Sequence, residues 1–568
     1  MESGFRLRRR TRIARTNFMA TVLVNDISVD IGDEKLNCVQ AAQRAGVTIP
    51  HYCWHPALSV VASCRMCLVM VGEKKTDGSI AMQPKVVPGC QTPVKDGTVI
   101  QTMDPRATTA QKATLENLLL NHPLDCPVCD KAGECLLQDY SFKFGNASSR
   151  MVDEKNTPPN KPDIGPNVSL FTDRCIMCSR CVRFTREVAG TAELHVVQRG
   201  NHSEIDVFPG HPLDNKLATN VVDLCPVGAL ASKDFLYKQR VWNLKTVNSV
   251  CTGCSTGCSI HLDTNKDVVY RLRPRFNPRA QGHFMCDEGR LGYQQVNSSQ
   301  RFRKPLERRE SGTKPIEWSA AVASVDRAFR EVAGVDAGNA WFVLSPFLTL
   351  EEAWLLASYA RSVSPFVRIV SGPVTRVGDD DTYPKDRKGR PAANVKFTIR
   401  AEKCPNRRGV EAIVSHFQKT VVSFNDLLQA CDAGSARFVY VTGGYSSAHP
   451  GFRVEDADKL AKAPHLVVHD LMPSALTDRA NLVIPSAAFS EKEGTYVNHA
   501  GLAQSTVAGC VPLRGMRTDG QVFLDLLGRK GLVRAEEIRK EIGKTVSALA
   551  ALAQGSTGEF GVFTGSGS

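Results

Sequence analysis

No stretch of the 568 residues approaches the roughly 20 consecutive apolar side chains that a membrane-spanning helix needs, so membrane association is expected only through partners. No G-x-G-x-x-G follows a strand-like run, which argues against a dinucleotide site on this chain. Repeats of fixed period are missing as well. After residue 290 cysteine nearly vanishes, with three of the 19 lying there. That scarcity excludes a cysteine-rich metal centre from the second half.

The other sixteen cysteines are crowded into the first 290 residues. Many stand two or three residues apart, too close to be separate disulfide partners, and no secretory pattern precedes them. Metal binding in a reducing compartment is the expectation. Hydrophobic content of 42% and charged content of 23% are ordinary, and the length calls for several domains. The formal charge is +13, and part of the excess is Arg6, Arg8, Arg9, Arg10, Arg12 and Arg15. This segment reads as a surface tail, as a transit peptide (which Glu2 suits poorly), or as an extension ahead of a true start at Met19. The last reading is preferred, because Met19 directly precedes the first strand pattern. No aromatic–basic interleaving follows, so no nucleic-acid partner is expected.

Residues 20–31 read as two alternating strands joined at Asn25-Asp26, a hairpin turn pair. Residues 37–46 read as a helix ended by Gly46. Strand, strand, helix and then a cysteine-rich loop is the order of a plant-type ferredoxin. A second helix is expected over 106–121, and the polar, proline-rich 152–168 reads as a connecting loop. Beyond about residue 306, apolar β-rich runs at 340–345, 437–442, 465–469 and 481–485 alternate with helical stretches at 350–360 and 454–461. That alternation predicts an α/β region with a parallel sheet. Residues 372–409 look like an insertion. From about Val533 a short helix and then a disordered Gly/Ser tail are expected.

Thiolates are soft ligands suited to iron. The first set is Cys53, Cys64, Cys67 and Cys90, with gaps of ten and two residues before the distant fourth member. Plant-type ferredoxins use C-x4-C-x2-C…C, and a structural zinc is the alternative. The second set is His122, Cys126, Cys129 and Cys135. One imidazole and three thiolates suit zinc or a [4Fe–4S] cluster, and spacing does not decide between them. An uncharged His ligand should shift a cluster's potential, as it does upward in Rieske centres. The third set is Cys175, Cys178 and Cys181, with Cys225-Pro226 far downstream. Bacterial ferredoxins run C-x2-C-x2-C-x3-C-P, the fourth cysteine serving the other cluster of the pair. Here Thr185 stands four after Cys181, and Val221, Ala218 and Asn215 stand four, seven and ten before Cys225. Half of the double set is gone, and a single [4Fe–4S] site remains. The fourth set is Cys251, Cys254, Cys258 and Cys286, with a strand over 268–274 between its halves. A [4Fe–4S] cluster is favoured there, with zinc as the alternative. Cys38, Cys404, Cys431 and Cys510 lack ligand spacing and read as small buried hydrophobes.

These four sets, in this order, resemble the large iron–sulfur subunit of respiratory complex I, the family of the bacterial G and mitochondrial 75-kilodalton subunits. The likeness runs over roughly residues 20–530. The spacing of His122, Cys126, Cys129 and Cys135 is specific to that family and to NAD-linked and iron-only hydrogenases, and it favours iron over zinc. The resemblance implies one [2Fe–2S] cluster at the first set and [4Fe–4S] clusters at the second and third. A further [4Fe–4S] is implied at the fourth, which lies off the main path, occurs in some bacterial members and is absent from mitochondrial ones. A bacterial chain is therefore favoured, peripheral on the cytoplasmic face of the inner membrane, with the mitochondrial matrix side as the alternative. The resemblance also implies a role as a subunit of NADH:quinone oxidoreductase, passing electrons from a flavin on another subunit toward quinone. No catalytic residue and no substrate site of its own are expected. Its partners would be other peripheral-arm subunits, including the flavin/NADH-binding one.

Residues 465–504 resemble a molybdopterin oxidoreductase, through Asp470, Leu482, Val483, Ile484 and Pro485, and the run from Glu491 to Asn498. The usual ending Asn-x-Glu-Gly-Arg-x-Gln is here Asn498, Ala500, Gly501, Leu502 and Gln504, with both charged positions gone. Active pterin enzymes such as formate dehydrogenases carry Lys at the second position after the last cluster cysteine, where this chain has Glu288. A scaffold without molybdopterin is expected. The rivals are a molybdopterin-dependent formate dehydrogenase-like enzyme, an iron-only hydrogenase and a zinc-stabilised interaction protein.

The expected fold is α+β and α/β, multidomain: ferredoxin-like iron–sulfur modules followed by a truncated molybdopterin-oxidoreductase-like α/β region. The expected division is a basic extension 1–18, a [2Fe–2S] ferredoxin-like domain 19–103, a [4Fe–4S] module with one histidine and three cysteines 104–145, a [4Fe–4S] ferredoxin-like domain 146–246, a fourth cluster module 247–305, the pterin-type domain 306–532 and a tail 533–568.

Overall fold

The computed structural model describes residues 20–310 and 312–565, so the basic extension and Met19 lie outside the described residues. Asn25 and Asp26 both take the left-handed conformation, with φ of 45° and 70°. That twist suits a two-residue hairpin, and it joins strands Thr21–Val24 and Ile27–Asp30. The first strand pairs in parallel with Thr98–Gln101, which pairs in turn with Leu68–Lys74. Helix Cys38–Arg44 is fixed at its start by Asn37, whose side chain accepts from the Gln40 amide while Gln40 reaches back to the Asn37 amide. Its buried Cys38, Val39, Ala41 and Ala42 belong to the core of this sheet. Sheet and helix together set the ends of the loop that carries Cys53, Cys64 and Cys67.

The expected second helix runs from Pro105 to Leu119, capped by Asp104 with proline in its first turn. A shorter helix, Leu136–Phe144, begins immediately after Cys135. In the third module, strands Val168–Leu170 and Leu230–Ser232 pair antiparallel, helix Arg180–Phe184 carries Cys181, and helix Asn220–Leu224 directly precedes Cys225. The fourth module is a three-stranded antiparallel sheet, Lys245–Val250, Ser259–Asn265 and Val268–Pro274. Three of its cysteines sit in the turn between the first two strands, and Cys286 caps helix Asp287–Leu291.

The C-terminal half holds a seven-stranded sheet whose five parallel strands lie in the spatial order Leu482–Pro485, His465–Asp470, Phe438–Thr442, Ala340–Leu344 and Arg368–Ser371. The chain enters in the middle, runs to one edge and then returns past its start, so the order reverses between Ala340–Leu344 and Phe438–Thr442. This is a doubly wound sheet, and its carboxyl ends at the reversal form the crevice where such folds take ligands. Strand residues alternate between two cores: Phe342, Leu344 and Tyr440 enter one with helices Trp318–Asp336 and Leu350–Val363. Trp341, Val343 and Val441 enter the other with helices Phe424–Asp432 and Val454–Leu460. Burial on both faces explains why these strands read as continuous apolar runs.

Two stretches differ from their composition. The segment 372–409 forms the hairpin Asp381–Tyr383/Phe397–Ile399 and lays Phe397 and Ile399 over the fourth cysteine set. The expected disordered tail is folded through residue 565: helix Ala535–Thr545 continues into Ser547–Leu552, and Val562–Phe563 adds a strand beside Leu502–Thr506. Buried Leu549 and Leu552 and the hydrogen bond from Arg539 to the Gly555 carbonyl hold it down. Its glycines serve turns with positive φ, as at Gly555 and Gly561.

Candidate metal centres

The first set converges in one buried loop. The thiols of Cys64 and Cys90 both contact Cys53, and Cys90 also contacts Cys67. Left-handed Ala62 and Arg65 curl the backbone so that amides turn toward sulfur, and the Cys53 amide lies 3.5 Å from the Cys64 Sγ. Thiol hydrogen bonds from Cys64 and Cys90 hold the Cys53 thiol far below its ordinary range, while Cys64 and Cys90 are themselves pushed up. Cys38, read as a plain core residue, is buried close to Cys67.

The second set lies at the surface. Cys126 is exposed, Cys129 half-buried and Cys135 buried. The three thiols act on one another electrostatically in the order 126, 129, 135. A Cβ on Gly228 would fall 2.3 Å from the Cys129 Sγ, so the chain beside Cys225 must pass this site as glycine. Burial first, then the Arg174 guanidinium, holds His122 down to about 4. It is a neutral imidazole at pH 7, the form that ligates metals. The charged groups that act on His122 are Arg174, Lys155 and Asp125.

The third set rings a cavity of about 360 Å³, lined by Cys175, Cys178, Cys181 and Cys225 together with Leu170 and Ile205. Burial, then repulsion among neighbouring thiolates, pushes Cys175 up to about 12 and Cys178 to about 11. Without metal these groups are neutral thiols, and a bound cation would draw off their protons and hold four thiolates in this apolar hole, so the donor set fits a metal cluster. The fourth set behaves alike. Cys251, Cys254, Cys258 and Cys286 line a cavity of about 330 Å³ closed by Met285, Phe397 and Ile399. Burial pushes Cys251 up to about 12, and holds Cys258 and Cys286 well above the ordinary thiol value. The amides of Gly253 and Gly289 point at the sulfurs of Cys251 and Cys286 at 3.5 and 3.3 Å. Among the described residues no group of three or more His, Cys, Asp or Glu is arranged to hold a single metal ion.

Cationic residues that spacing did not single out bind these sites to one another. Arg183 donates to the carbonyls of Cys53 and Ser59 in the first loop and of Cys178 in the third. Arg180 donates to the Trp54 carbonyl at 2.5 Å and the Leu224 carbonyl at 3.2 Å. Arg174, three residues after Phe171 and stacked on its ring, pairs with Asp125 of the second loop at 2.8 Å. Arg240 clasps the Cys129 carbonyl at 2.8 Å and the Pro127 carbonyl. At the fourth site Lys403 pairs with Glu288 at 2.6 Å, and His449 meets the other Glu288 oxygen at 2.7 Å.

The residues beyond the fourth set do not fit a pterin. Glu288 lines the adjoining cavity at the position where the pterin-type pattern has its lysine, and both of its carboxylate oxygens are already taken, one by Lys403 and one by His449. At the sheet's crevice Lys492 is sealed against Glu352 at 3.0 Å and Asp519 at 3.6 Å. Asn498 and Gln504, the surviving members of the pterin-type ending, are spent on the Thr256 and Gly257 carbonyls of the fourth turn.

Fold and sites define an iron–sulfur electron-transfer protein built on a pterin-enzyme scaffold. Comparisons with known proteins agree. Residues 21–105 match the 2Fe-2S iron-sulfur cluster binding domain, and 111–150 the NADH-ubiquinone oxidoreductase-G iron-sulfur binding region. Residues 165–231 match the ferredoxin-like domain of NADH-quinone oxidoreductase subunit 3. Residues 244–298 match the molybdopterin oxidoreductase Fe4S4 domain, and 405–529 molybdopterin oxidoreductase. The G subunit of NADH-quinone oxidoreductase from Rickettsia bellii is 28% identical across 89% of this chain and 86% of its own. The corresponding G subunit from Rickettsia conorii is 36% identical over 52% of this chain, and the Neurospora crassa mitochondrial 78 kDa subunit of NADH-ubiquinone oxidoreductase is 39% identical over 54%. These two matches span 42% and 39% of the relatives' own lengths. The chain is thus similar to NADH-quinone oxidoreductase G subunits over nearly all of its length, and to a mitochondrial counterpart over about half of it.

Proposed function

We propose that the chain is the large electron-carrying subunit of an NADH:quinone oxidoreductase, receiving electrons from a flavin-bearing partner and delivering them toward quinone. The first set would hold [2Fe–2S] and the other three [4Fe–4S], through the sixteen residues named above. When bound, these clusters supply one-electron reduction and reoxidation. The chain's part is to fix each donor set, exclude water from it and tie one set to the next. The observation that carries the reading is that tie: Arg180 and Arg183 bridge the first and third sets, and Arg174 with Asp125 bridges the third and second. Rigid neighbouring sites are what a relay needs, and a protein held by separate structural zinc ions would need none of these ties. Four sulfurs ringed around a cavity, rather than closed on one point, favour clusters over structural zinc at the third and fourth sets.

Membrane attachment would come through partner subunits on the cytoplasmic face, since no described helix is long and apolar enough to cross a membrane. No molybdopterin is assigned, on Glu288 standing in place of the pattern's lysine and on Lys492 being committed to Glu352 and Asp519. The test is iron, molybdenum and zinc content of the chain reconstituted without oxygen. The expected result is about 14 iron atoms per chain and neither of the other metals. Stoichiometric molybdenum would favour the formate dehydrogenase-like enzyme, and zinc in place of iron the interaction protein.

A further inference from the structure

Arg180 and Arg183 occupy the short helix that begins beside Cys178, and their side chains turn inward, 6% and 1% exposed. A buried cation is ordinarily paired with a carboxylate, since stripping its water is otherwise costly. Here neither guanidinium forms an ion pair with a carboxylate among the described residues. Their hydrogen-bond partners are backbone carbonyls, at Trp54 and Leu224 for Arg180 and at Ser59, Cys53 and Cys178 for Arg183, with the Ser179 hydroxyl as the one side-chain partner. The two like charges also face each other. The sulfurs that act on Arg180 are those of Cys178 and Cys225 in the third set and of Cys53 in the first. Carbonyl dipoles orient these cations and offset part of their desolvation, and the missing counter-charge lies in the two cysteine sets. A metal cluster held by four thiolates is itself an anion, more so when reduced, and its potential rises with positive charge placed nearby.

We propose that Arg180 and Arg183 form a shared cationic bridge that sets the reduction potentials of the first and third sites together. It rests on the reading of both sets as cluster ligands. The two arginines are positioning and tuning residues, and they hold no electron themselves. Because the charge is shared, removing either one acts on both sites at once. A residue that merely shaped one loop would not do this.

The experiment is a redox titration followed by electron paramagnetic resonance on the full chain, reconstituted without oxygen, for wild type, Arg180→Gln and Arg180→Lys. The expected result is that Arg180→Gln lowers both midpoints by about a tenfold change in the reduction equilibrium, about 59 mV for a one-electron couple. Arg180→Lys, which keeps the charge, should stay near wild type. Full iron with unmoved midpoints in Arg180→Gln, or a shift confined to one cluster, overturns the bridge. Absence of both signals from the wild-type chain overturns the cluster reading itself. Where Arg180→Gln loses iron, Arg183→Gln and Arg183→Lys decide: the first must move both midpoints and the second neither, or the proposal fails.

Discussion

The third and fourth sites are built from the same donor set in cavities of similar size, yet they treat buried cations in opposite ways. Around the third, Arg180 and Arg183 stand without carboxylates. Around the fourth and the sheet behind it, buried cations come with their acids: Lys403 with Glu288, Arg290 with Asp223, Arg301 with Glu491, Arg539 with Glu351, and Lys492 with Glu352 and Asp519. The difference teaches which site depends on its metal. A paired cation is neutralised whether or not iron is bound, whereas an unpaired one needs the cluster. It also separates a site tied into a relay from one tied into a scaffold.

The largest effect that would break this comparison is on turnover. Cys178→Ala in the assembled complex is expected to abolish NADH:quinone activity, whereas Cys254→Ala should leave most of it and lower the amount of assembled complex instead. Steady-state quinone reduction, normalised to complex content, measures both. Quinone reduction preserved in Cys178→Ala would sink the assignment of the third site to the relay. Equal losses in the two variants would erase the distinction between the sites.

Iron removal sharpens the same contrast in the fold. With a chelator under reducing conditions, residues 50–230 should lose amide-exchange protection, because two buried cations are left facing protonated thiols. The sheet strands between 340 and 485 should keep theirs. Protection lost evenly across the chain would show that the pairing pattern does not govern stability. Within the sheet, Lys492→Met strands the Glu352 and Asp519 carboxylates and should cost about 3–5 kcal/mol in denaturant unfolding. A loss under about 1 kcal/mol would mean that protonation relieves the two acids cheaply. At the fourth site, Glu288→Gln should raise the cluster midpoint and Lys403→Gln should lower it. The double variant should return close to wild type, since each removes one member of a cancelling pair. Shifts of the same sign in the two single variants would overturn that balance.

Much of this arrangement was legible in the residues. Short spacings such as Cys175, Cys178 and Cys181 are local, so a single turn brings them together wherever the module sits. Asn25-Asp26 and the apolar runs of the sheet are legible for the same reason: turn chemistry and two-sided burial act over a few residues. What sequence spacing does not carry is charge acting across modules. Arg183 reaches Cys53 and Arg180 reaches Trp54 through carbonyls 130 and 126 residues away, and a carbonyl leaves no mark in composition. Lys403 likewise meets Glu288 from 115 residues away and returns an ammonium to the place where the pterin-type pattern lacks its lysine. The tail was misread because Gly and Ser suggest flexibility, while Leu549 and Leu552 between them supply the burial that fixes it.

The smallest expected effect tests an exception within the sheet. Asp470, at the carboxyl end of its strand, is buried and accepts from the Gly444 amide at 2.9 Å and the Leu471 amide at 2.7 Å, and no cation among the described residues forms an ion pair with it. It is the mirror image of the bare arginines. Burial pushes its carboxyl up to about 6 despite those two bonds. Because the folded value lies above the unfolded one, the unfolded chain ionises first as pH rises. Stability is therefore lost between about pH 4 and pH 6 and stays lost above. Asp470→Asn keeps an acceptor for the two amides and removes the buried charge, so it should stabilise the protein by about 2 kcal/mol at pH 7.5 and by little at pH 4. Thermal unfolding at the two pH values measures the difference. A variant destabilised equally at both would show that the carboxylate has a counter-charge after all, and that the sheet half contains no unpaired buried charge.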